Sequence, residues 1–451
     1  MSIESRNPFS GKIIQTFEEE TDRQVLEKIK LADSTYQRWK TTNFTHRKEL
    51  MLKTAVLLRD RKARYGDLMT KEMGKSKREA IGEIEKCALA CDYYAENAEN
   101  FLSDHQLDVP DGEAYIAHDP IGIVLAVMPW NFPFWQVFRF AAPNLMAGNV
   151  GLLKHASNVP QCALAIEEVF LDAGFPKGCF QSLLVSSSKV NMILDDDRVK
   201  AATLTGSEMA GSKVAERSGK NLKKTVLELG GSDPFIVLDD ADIKKAAITG
   251  AKARMINNGQ SCIAAKRFIL EQSIADEFLA YFKTEFENIK IGDPADDNFD
   301  YGSMAREDLA EELAQQVEDS INKGAKILTG GKQNKAFFEP TILTDVKPGM
   351  PAYDDELFGP VAVILIADNE EHAIELANDS RFGLGGSLWT QDIEKAKKIV
   401  RKVESGAVYI NRLMASHPAV PFGGIKMSGY GRELSESGIK EFVNQKTIWI
   451  D

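Results

Sequence analysis

What this chain lacks narrows it first. None of its 451 residues belongs to an apolar run of about 18, the length that a membrane-spanning helix needs. Basic charge is in short supply: 55 Lys and Arg stand against 67 Asp and Glu, a formal net charge of −12. A surface for nucleic-acid phosphates would need a basic stripe, which argues against such a partner. Cysteine is scarce, five in all at irregular spacing, so no disulfide framework is expected. The opening residues 1–9 are polar and charged and lack the apolar stretch of a secretory signal. No internal repeat or low-complexity segment is visible. These absences point to a cytoplasmic protein, and its length allows two or three domains with ample core.

What is present reads as helices first and α/β units afterwards. Residues 22–40, 45–65 and 72–102 carry apolar side chains at three- and four-residue spacing among Lys, Arg and Glu, the pattern of amphipathic helices. Cys87 and Cys91 lie one helical turn apart; without two further ligands nearby they are core residues and not a metal half-site. β-like runs follow over 114–118 and 121–128, interrupted by Asp119-Pro120. Strands at 150–154, 180–185, 199–205 and 222–229 then alternate with helices at 160–172 and 208–218. A second series follows: 235–238, 243–256, 267–271, 274–289 and further units as far as 408–410. Such alternation predicts parallel sheets covered by helices, in two Rossmann-like α/β domains with a seam near 228–232. Residues 446–450 look like a lone strand suited to pairing elsewhere, on another subunit.

The chemistry gathers in six stretches. Asn257-Asn258-Gly259-Gln260-Ser261-Cys262 places a cysteine after a Gly-containing turn, and Glu228-Leu229-Gly230-Gly231 ends a strand on a carboxylate. An isolated cysteine is ordinarily a small buried hydrophobe. With a carboxylate base it is the minimum equipment for covalent catalysis on a carbonyl. Met128-Pro129-Trp130-Asn131-Phe132-Pro133 is a proline-stiffened loop whose Asn131 amide can donate to a developing oxyanion. Gly206-Ser207-Glu208-Met209-Ala210-Gly211 is a strand-to-helix turn able to offer backbone N–H groups to phosphate. It matches neither the P-loop nor the G-x-G-x-x-G fingerprint. Glu356, in Asp355-Glu356-Leu357-Phe358-Gly359-Pro360, can accept from ribose hydroxyls, and 421–432 is a second Gly-rich loop.

In their order and rough spacing these six stretches resemble the aldehyde dehydrogenase superfamily across nearly the whole chain, closest to its bacterial succinate-semialdehyde dehydrogenase branch. The resemblance implies Cys262 as nucleophile, Asn131 with the Cys262 backbone N–H as oxyanion site, and Glu228 as the base that hydrolyses the thioester. It implies Trp130, Lys154, Ser157, Gly206, Ser207, Leu229, Glu356 and Phe358 as contacts of a nicotinamide dinucleotide. It also implies a cofactor-binding domain from 1–105 and 120–229, a catalytic domain at 230–432, and an oligomerisation arm of 106–119 and 433–451. Strands from 114–128 and 446–451 would join subunits of a homodimer or homotetramer. No metal is expected. Cys162 and Cys179 should be dispensable.

Two departures sharpen the reading. Where the family often has Lys-Pro-x-Glu, this chain has Lys154-His155-Ala156-Ser157. Loss of that glutamate removes a charge that would repel a 2′-phosphate, and Lys154 with His155 would add positive character. NADP should therefore be accepted, with NAD still usable. The second departure is Arg139, a guanidinium suited to clamp a substrate carboxylate and so to favour an ω-carboxy aldehyde such as succinate semialdehyde. An ordinary ion pair is the plainer alternative. Trp135, Ile263 and Phe422 would line the same slot, with Arg412, Ser416 and His417 as weaker candidates. A cysteine hydrolase would instead need a histidine beside Cys262. None of the six histidines has a motif-like setting, and His372 opens a plain amphipathic helix. A binding protein that has lost its activity would need a damaged Cys262 or Glu228, and both are intact. A coenzyme-A-acylating relative would not need Glu228.

Overall fold

The computed structural model describes residues 2–451, and among them are two large, mainly parallel sheets, a small three-stranded antiparallel sheet and three two-stranded antiparallel pairs. The first large sheet runs Gly429–Tyr430, Lys224–Glu228, Val199–Thr205, Ile123–Met128, Val150–His155, Phe180–Ser182. Its neighbours are parallel apart from Gly429–Tyr430. Helices cover both faces, so the central strands read as nearly unbroken apolar runs such as Ile123-Val124-Leu125-Ala126. From Ile123–Met128 the chain builds outward on one side and then returns to lay Val199–Thr205 on the other. At such a switch point a crevice opens beyond the C-terminal ends of the strands. Here those ends lead into Pro129-Trp130-Asn131 and into Gly206-Ser207.

The second sheet runs Lys326–Thr329, Thr341–Thr344, Val361–Ala367, Arg267–Glu271, Pro234–Val237, Ser387–Trp389, Tyr409–Ile410, with only Lys326–Thr329 antiparallel among the described strands. Its faces follow the two-residue period of a strand: Phe235 and Val237 enter one core with Phe268 and Phe282, while Ile236 enters the opposite one with Ile269 and Val363. The α/β class and the two Rossmann-like layers expected from sequence are what the chain adopts.

The first hundred residues pack on the first sheet, where Val25, Met51, Leu58, Ile84, Cys87 and Cys91 share one core with Val124 and Phe138. Their helices differ from the expected ones at the ends. The 45–65 segment divides into Phe44–Asp60 and Lys62–Met73, and Gly74 at φ +81° closes the second. A new helix, Lys77–Phe101, starts behind the Ser76 cap instead of continuing from residue 72.

The small sheet corrects two expectations. Val443–Ile450 is not a lone strand; it pairs antiparallel with Glu113–Pro120 of the same chain, from Val443 opposite Pro120 to Ile450 opposite Glu113. Nor do residues 114–128 form one arm, because Ile123–Met128 lies in the middle of the first sheet. Asn149 fixes the root of the arm: its Oδ1 accepts from the N–H groups of Ile121 (2.8 Å) and Gly122 (2.9 Å), and its Nδ2 donates to Phe442 O (2.7 Å).

One buried ion pair joins the helical layer to the switch-point loop. Lys75 pairs with Glu83 with both side chains almost fully buried, and the ammonium stands 4.2 Å above the Phe132 ring. Glu83 Oε1 also accepts from Phe134 N (2.8 Å) and Trp135 N (2.9 Å), fixing the start of the Trp135–Met146 helix. Glu83→Ala strands the Lys75 charge and is expected to cost about 3–5 kcal/mol in urea unfolding. Lys75→Met/Glu83→Ala should lose less, and an equal loss would contradict this account.

Candidate active site

The nucleophile turn is held in an unusual shape. Asn257 (φ 56°), Asn258 (φ 59°) and Gly259 (φ 74°) are three successive left-handed residues, a conformation that costs energy for non-glycine residues and needs outside support. Asn257 N donates to Glu79 (2.9 Å), and Asn258 Nδ2 donates to Gly74 O (3.0 Å) and Ser303 O (2.9 Å). Arg254, fully buried, donates to Gly259 O, Gly359 O and Ala265 O. Lys266 Nζ gathers Ser261 O and Cys262 O at 2.9 Å each and pairs with Glu356 at 3.2 Å. Cys262 emerges from this frame partly exposed. Burial pushes its thiol up to about 12, with Arg139 and Lys266 pulling it back only in part. In the free enzyme it is therefore a thiol that needs a base.

Asn131 is bound to the same turn. Its Nδ2 donates to Gln260 O (3.1 Å), leaving its second amide hydrogen for a ligand, while Asn257 Nδ2 donates to Asn131 O (2.7 Å). Glu228 ends its strand buried, and among the described residues neither carboxylate oxygen has a hydrogen-bond partner. A β-carbon at position 423 would lie 2.8 Å from Glu228 Oε1, so Gly423 is what lets the Gly-rich loop close over this carboxylate. Burial, the largest cause, holds the Glu228 carboxyl well above the usual range; Arg139 opposes this and Glu433 reinforces it.

Cys262, Asn131, Trp130, Gly206, Ser207, Leu229, Glu356 and Phe358 line one cavity of about 480 Å³ at the switch point. Ser207 caps the Glu208–Lys220 helix, whose first turn therefore faces a ligand-sized space, and Phe358 meets Trp130 edge-on at 5.7 Å. Glu356 accepts from Gly231 N (3.1 Å) beside its Lys266 contact. Lys154 and Ser157 lie elsewhere, in a larger cleft of about 1130 Å³ with Asn158, Ser186, Arg6 and Arg306. The Glu307–Asn322 helix borders both spaces, lending Glu307 and Asp308 to the larger and Leu309, Glu312 and Gln316 to the smaller. A helix N-terminus for a diphosphate, a carboxylate for a ribose and a second cleft of mixed charge that holds Lys154 for a further phosphate fit a nicotinamide dinucleotide. Among the described residues no cluster of His, Cys, Asp or Glu could hold a metal.

Two expectations fail on contact with the geometry. Arg139 is not the unpaired guanidinium expected: it is 2 % exposed, ion-paired with buried Glu433, bonded to Thr205 Oγ1 (3.2 Å) and stacked 4.6 Å from the Phe422 ring. Desolvation explains this, since a guanidinium taken out of water needs a carboxylate. His155 adds no charge. Its Nδ1 accepts from Ala156 N, which leaves Nε2 to donate to Pro133 O, and burial lowers its pKa to about 4. Trp135 is buried with its Nε1 on Ser416 Oγ (3.1 Å), Ile263 is half-buried at the edge of the core, and Arg412 and His417 are exposed. Cys162 and Cys179 are buried, as are Cys87 and Cys91.

Sequence reading passed over the residues beneath the site. Glu79, Glu83 and Lys86 lie at positions i, i+4 and i+7 of the Lys77–Phe101 helix. They reach the nucleophile turn, the Asn131 loop and Ser416 respectively. Their spacing was readable, but nothing in it distinguishes a supporting face from a solvated one. Arg254, Lys266 and Glu433 likewise carry no local signal, since their partners are fixed only by the fold.

A Cys turn and an amide donor in one cleft, with a buried carboxylate at the end of the strand that leads into it, define a covalent-catalytic, dinucleotide-binding architecture. The chain belongs to the aldehyde dehydrogenase family, which matches residues 1–448. It is 51 % identical over 453 residues, covering all of both chains, to a probable succinate-semialdehyde dehydrogenase (NADP(+)) of Synechocystis. It is 49 % identical over 456 residues, again with full coverage, to succinate-semialdehyde dehydrogenase (NADP(+)) 1 of Mycobacterium tuberculosis. The crystal structure of succinic semialdehyde dehydrogenase from Streptococcus pyogenes in complex with NADP+ superposes with a TM-score of 0.98 at 39 % identity, covering 99 % of each chain.

The Cys262 thiol yields a direct check. With its pKa near 12 in the free enzyme, alkylation by iodoacetamide should accelerate about tenfold per pH unit between pH 7 and 9. A rate already level across that interval would show a preformed thiolate.

Proposed function

We propose that this chain oxidises succinate semialdehyde to succinate with NADP, and with NAD less well. The carrying observation is the shared cleft in which Cys262 and Asn131 meet the first turn of the Glu208–Lys220 helix, with Glu228 buried one residue before Leu229 of its wall. The succinate-semialdehyde dehydrogenase relatives, NADP(+)-dependent by name, suggest the substrate and cofactor class. Trp130, Gly206, Ser207, Leu229, Glu356 and Phe358 hold the nicotinamide end, and Lys154 with Ser157 the adenosine end. Bound there, the nicotinamide supplies the hydride acceptor.

The chain's own groups do the rest. Glu228 takes the Cys262 proton, and the sulfur forms a bond to the aldehyde carbon while the carbonyl π pair moves to oxygen. Asn131 Nδ2 and the Cys262 N–H hold that oxyanion. Once the carbon has lost its hydride, a thioester joins it to Cys262. After passing that first proton on to solvent, Glu228 draws a proton from water, whose oxygen attacks the carbonyl, and the C–S bond breaks to release the acid and restore the sulfur. A carboxyl raised by burial is protonated at low pH and gains its basic form as pH rises. Hydrolysis should therefore speed up with pH through a midpoint above the ordinary carboxylate range. Glu228→Gln should keep part of the first reduction and lose turnover about 10²–10⁴-fold, with thioester trapped on the protein. Intact turnover in Glu228→Gln would remove this base.

The arm is the proposed dimer face: the outer edge of Val443–Ile450 is unpaired among the described strands, and Trp449 (56 % exposed) and Ile450 (49 %) stand beside it. Among the described residues no helix is long and apolar enough to cross a membrane. Five free cysteines fit a reducing, cytoplasmic setting.

The deciding experiment assays aldehydes with and without a terminal carboxylate against each cofactor. The carboxylated aldehyde with NADP should give the highest kcat/KM, and a strong NAD preference would refute the cofactor assignment. Ser157→Glu should depress kcat/KM for NADP about 10- to 100-fold more than for NAD, because it sets a carboxylate against the 2′-phosphate.

A further inference from the structure

The cavity that joins Cys262 to the Glu208–Lys220 helix is short of positive charge. Glu208, Glu312, Asp355 and Glu356 line it, and among the described residues of its wall the sole cation is Arg381. Lys266 stands behind that wall, already paired with Glu356. A diphosphate would bring more negative charge to a helix end whose first turn already carries the Glu208 carboxylate. We propose that Arg381 is the cation that receives the diphosphate of the nicotinamide dinucleotide, leaving Glu208 and Asp355 as the cofactor enters. This deepens the cofactor reading above and rests on it.

The geometry allows that exchange. Arg381 follows the Glu370–Asn378 helix with its backbone tied down, its carbonyl accepting from Met427 N at 3.0 Å. The side chain bridges the two α/β layers: Nη2 lies 3.1 Å from Glu208 of the first and 3.1 Å from Asp355 of the second. Both contacts use that one nitrogen, so the N–H groups of Nε and Nη1 donate to none of the described residues. The guanidinium stands 4.9 Å from the Phe382 ring, which supports its plane and leaves its edge free to donate. Arg381 is 48 % exposed and both carboxylates are partly exposed, so water screens these pairs and little is lost when they part. A diphosphate at the Gly206-Ser207 turn would offer the fork paired acceptors of higher charge, which it fits better than two carboxylates sharing one nitrogen. Neutralising Glu208 is the plainer role for this arginine. The two roles part once Glu208 has lost its charge.

The test is calorimetry of NADP and of NAD binding to the full chain without aldehyde, in the unsubstituted protein, Arg381→Gln, Glu208→Gln and the double variant. Arg381→Gln should raise Kd about 10- to 100-fold for both cofactors alike, because both carry the diphosphate. Glu208→Gln should bind both at least as tightly as the unsubstituted protein, since one repelling carboxylate is gone. The loss caused by Arg381→Gln should persist in the double variant. A Kd for Arg381→Gln within about twofold of the unsubstituted value, or a loss confined to NADP, overturns the assignment. So does a loss that disappears in the double variant, which would leave the arginine only neutralising Glu208. If the unsubstituted protein binds neither dinucleotide, the cofactor reading itself fails, and this inference with it.

Discussion

A charge removed from water must meet an opposite charge or a set of dipoles, and this catalytic centre is organised by that requirement. Lys75 meets Glu83, Arg139 meets Glu433, Lys266 meets Glu356, and Arg254 meets three carbonyls. Each pairing also joins separate stretches of chain. Lys75–Glu83 links the helical layer to the Asn131 loop, Arg139–Glu433 links the switch point to the C-terminal loop, and Lys266–Glu356 links the nucleophile turn to a wall of the cleft. The groups that escape the rule are Cys262, Glu228 and Lys86, whose burial costs are not fully offset within the chain. Ionisable groups displaced by burial, at a cleft, are where catalysis and binding are expected.

The nucleophile turn shows why so much support is needed. Three successive left-handed residues cost about 1–3 kcal/mol for each non-glycine member. A free loop would relax to another shape. Here the N–H of Asn257, the side chain of Asn258 and the carbonyl of Gly259 are each bonded to a different neighbour. The chain is therefore over-determined just before Cys262, and the direction in which the sulfur emerges is set by the turn and not by side-chain freedom. The same bonds draw Gly74, Ser303 and Gly359 into place, so the joint between the two layers and the nucleophile are one construction.

The α/β layering was legible because alternating apolar runs and amphipathic segments are local properties; Val199–Thr205 and Arg267–Glu271 match residue for residue. Cys262, Asn131 and the Gly206 turn were legible because each sits in an unusual local setting of Gly, Pro or aromatic residues. What local reading could not supply is pairing at a distance. The strand Val443–Ile450 looked solitary because its partner lies at Glu113–Pro120. Arg139 looked like a substrate clamp because Glu433 is remote in sequence, and His155 looked cationic because only the fold shows that Pro133 and Ala156 already use its ring nitrogens. Charge in a sequence reports what a residue can do; burial and partners decide what it does.

The long helix supplies the step that sequence order hides. An α-helix brings residues i, i+4 and i+7 onto one face, and on Lys77–Phe101 that face carries Glu79, Glu83 and Lys86. Two carboxylates accept from backbone N–H groups of the nucleophile turn and of the loop after Asn131, so a single rigid element sets the distance between nucleophile and oxyanion donor. The third position carries an ammonium toward Trp135 and Ser416. Because the three contacts share one helix, they keep a fixed register to each other while the loops they touch come from three remote parts of the chain.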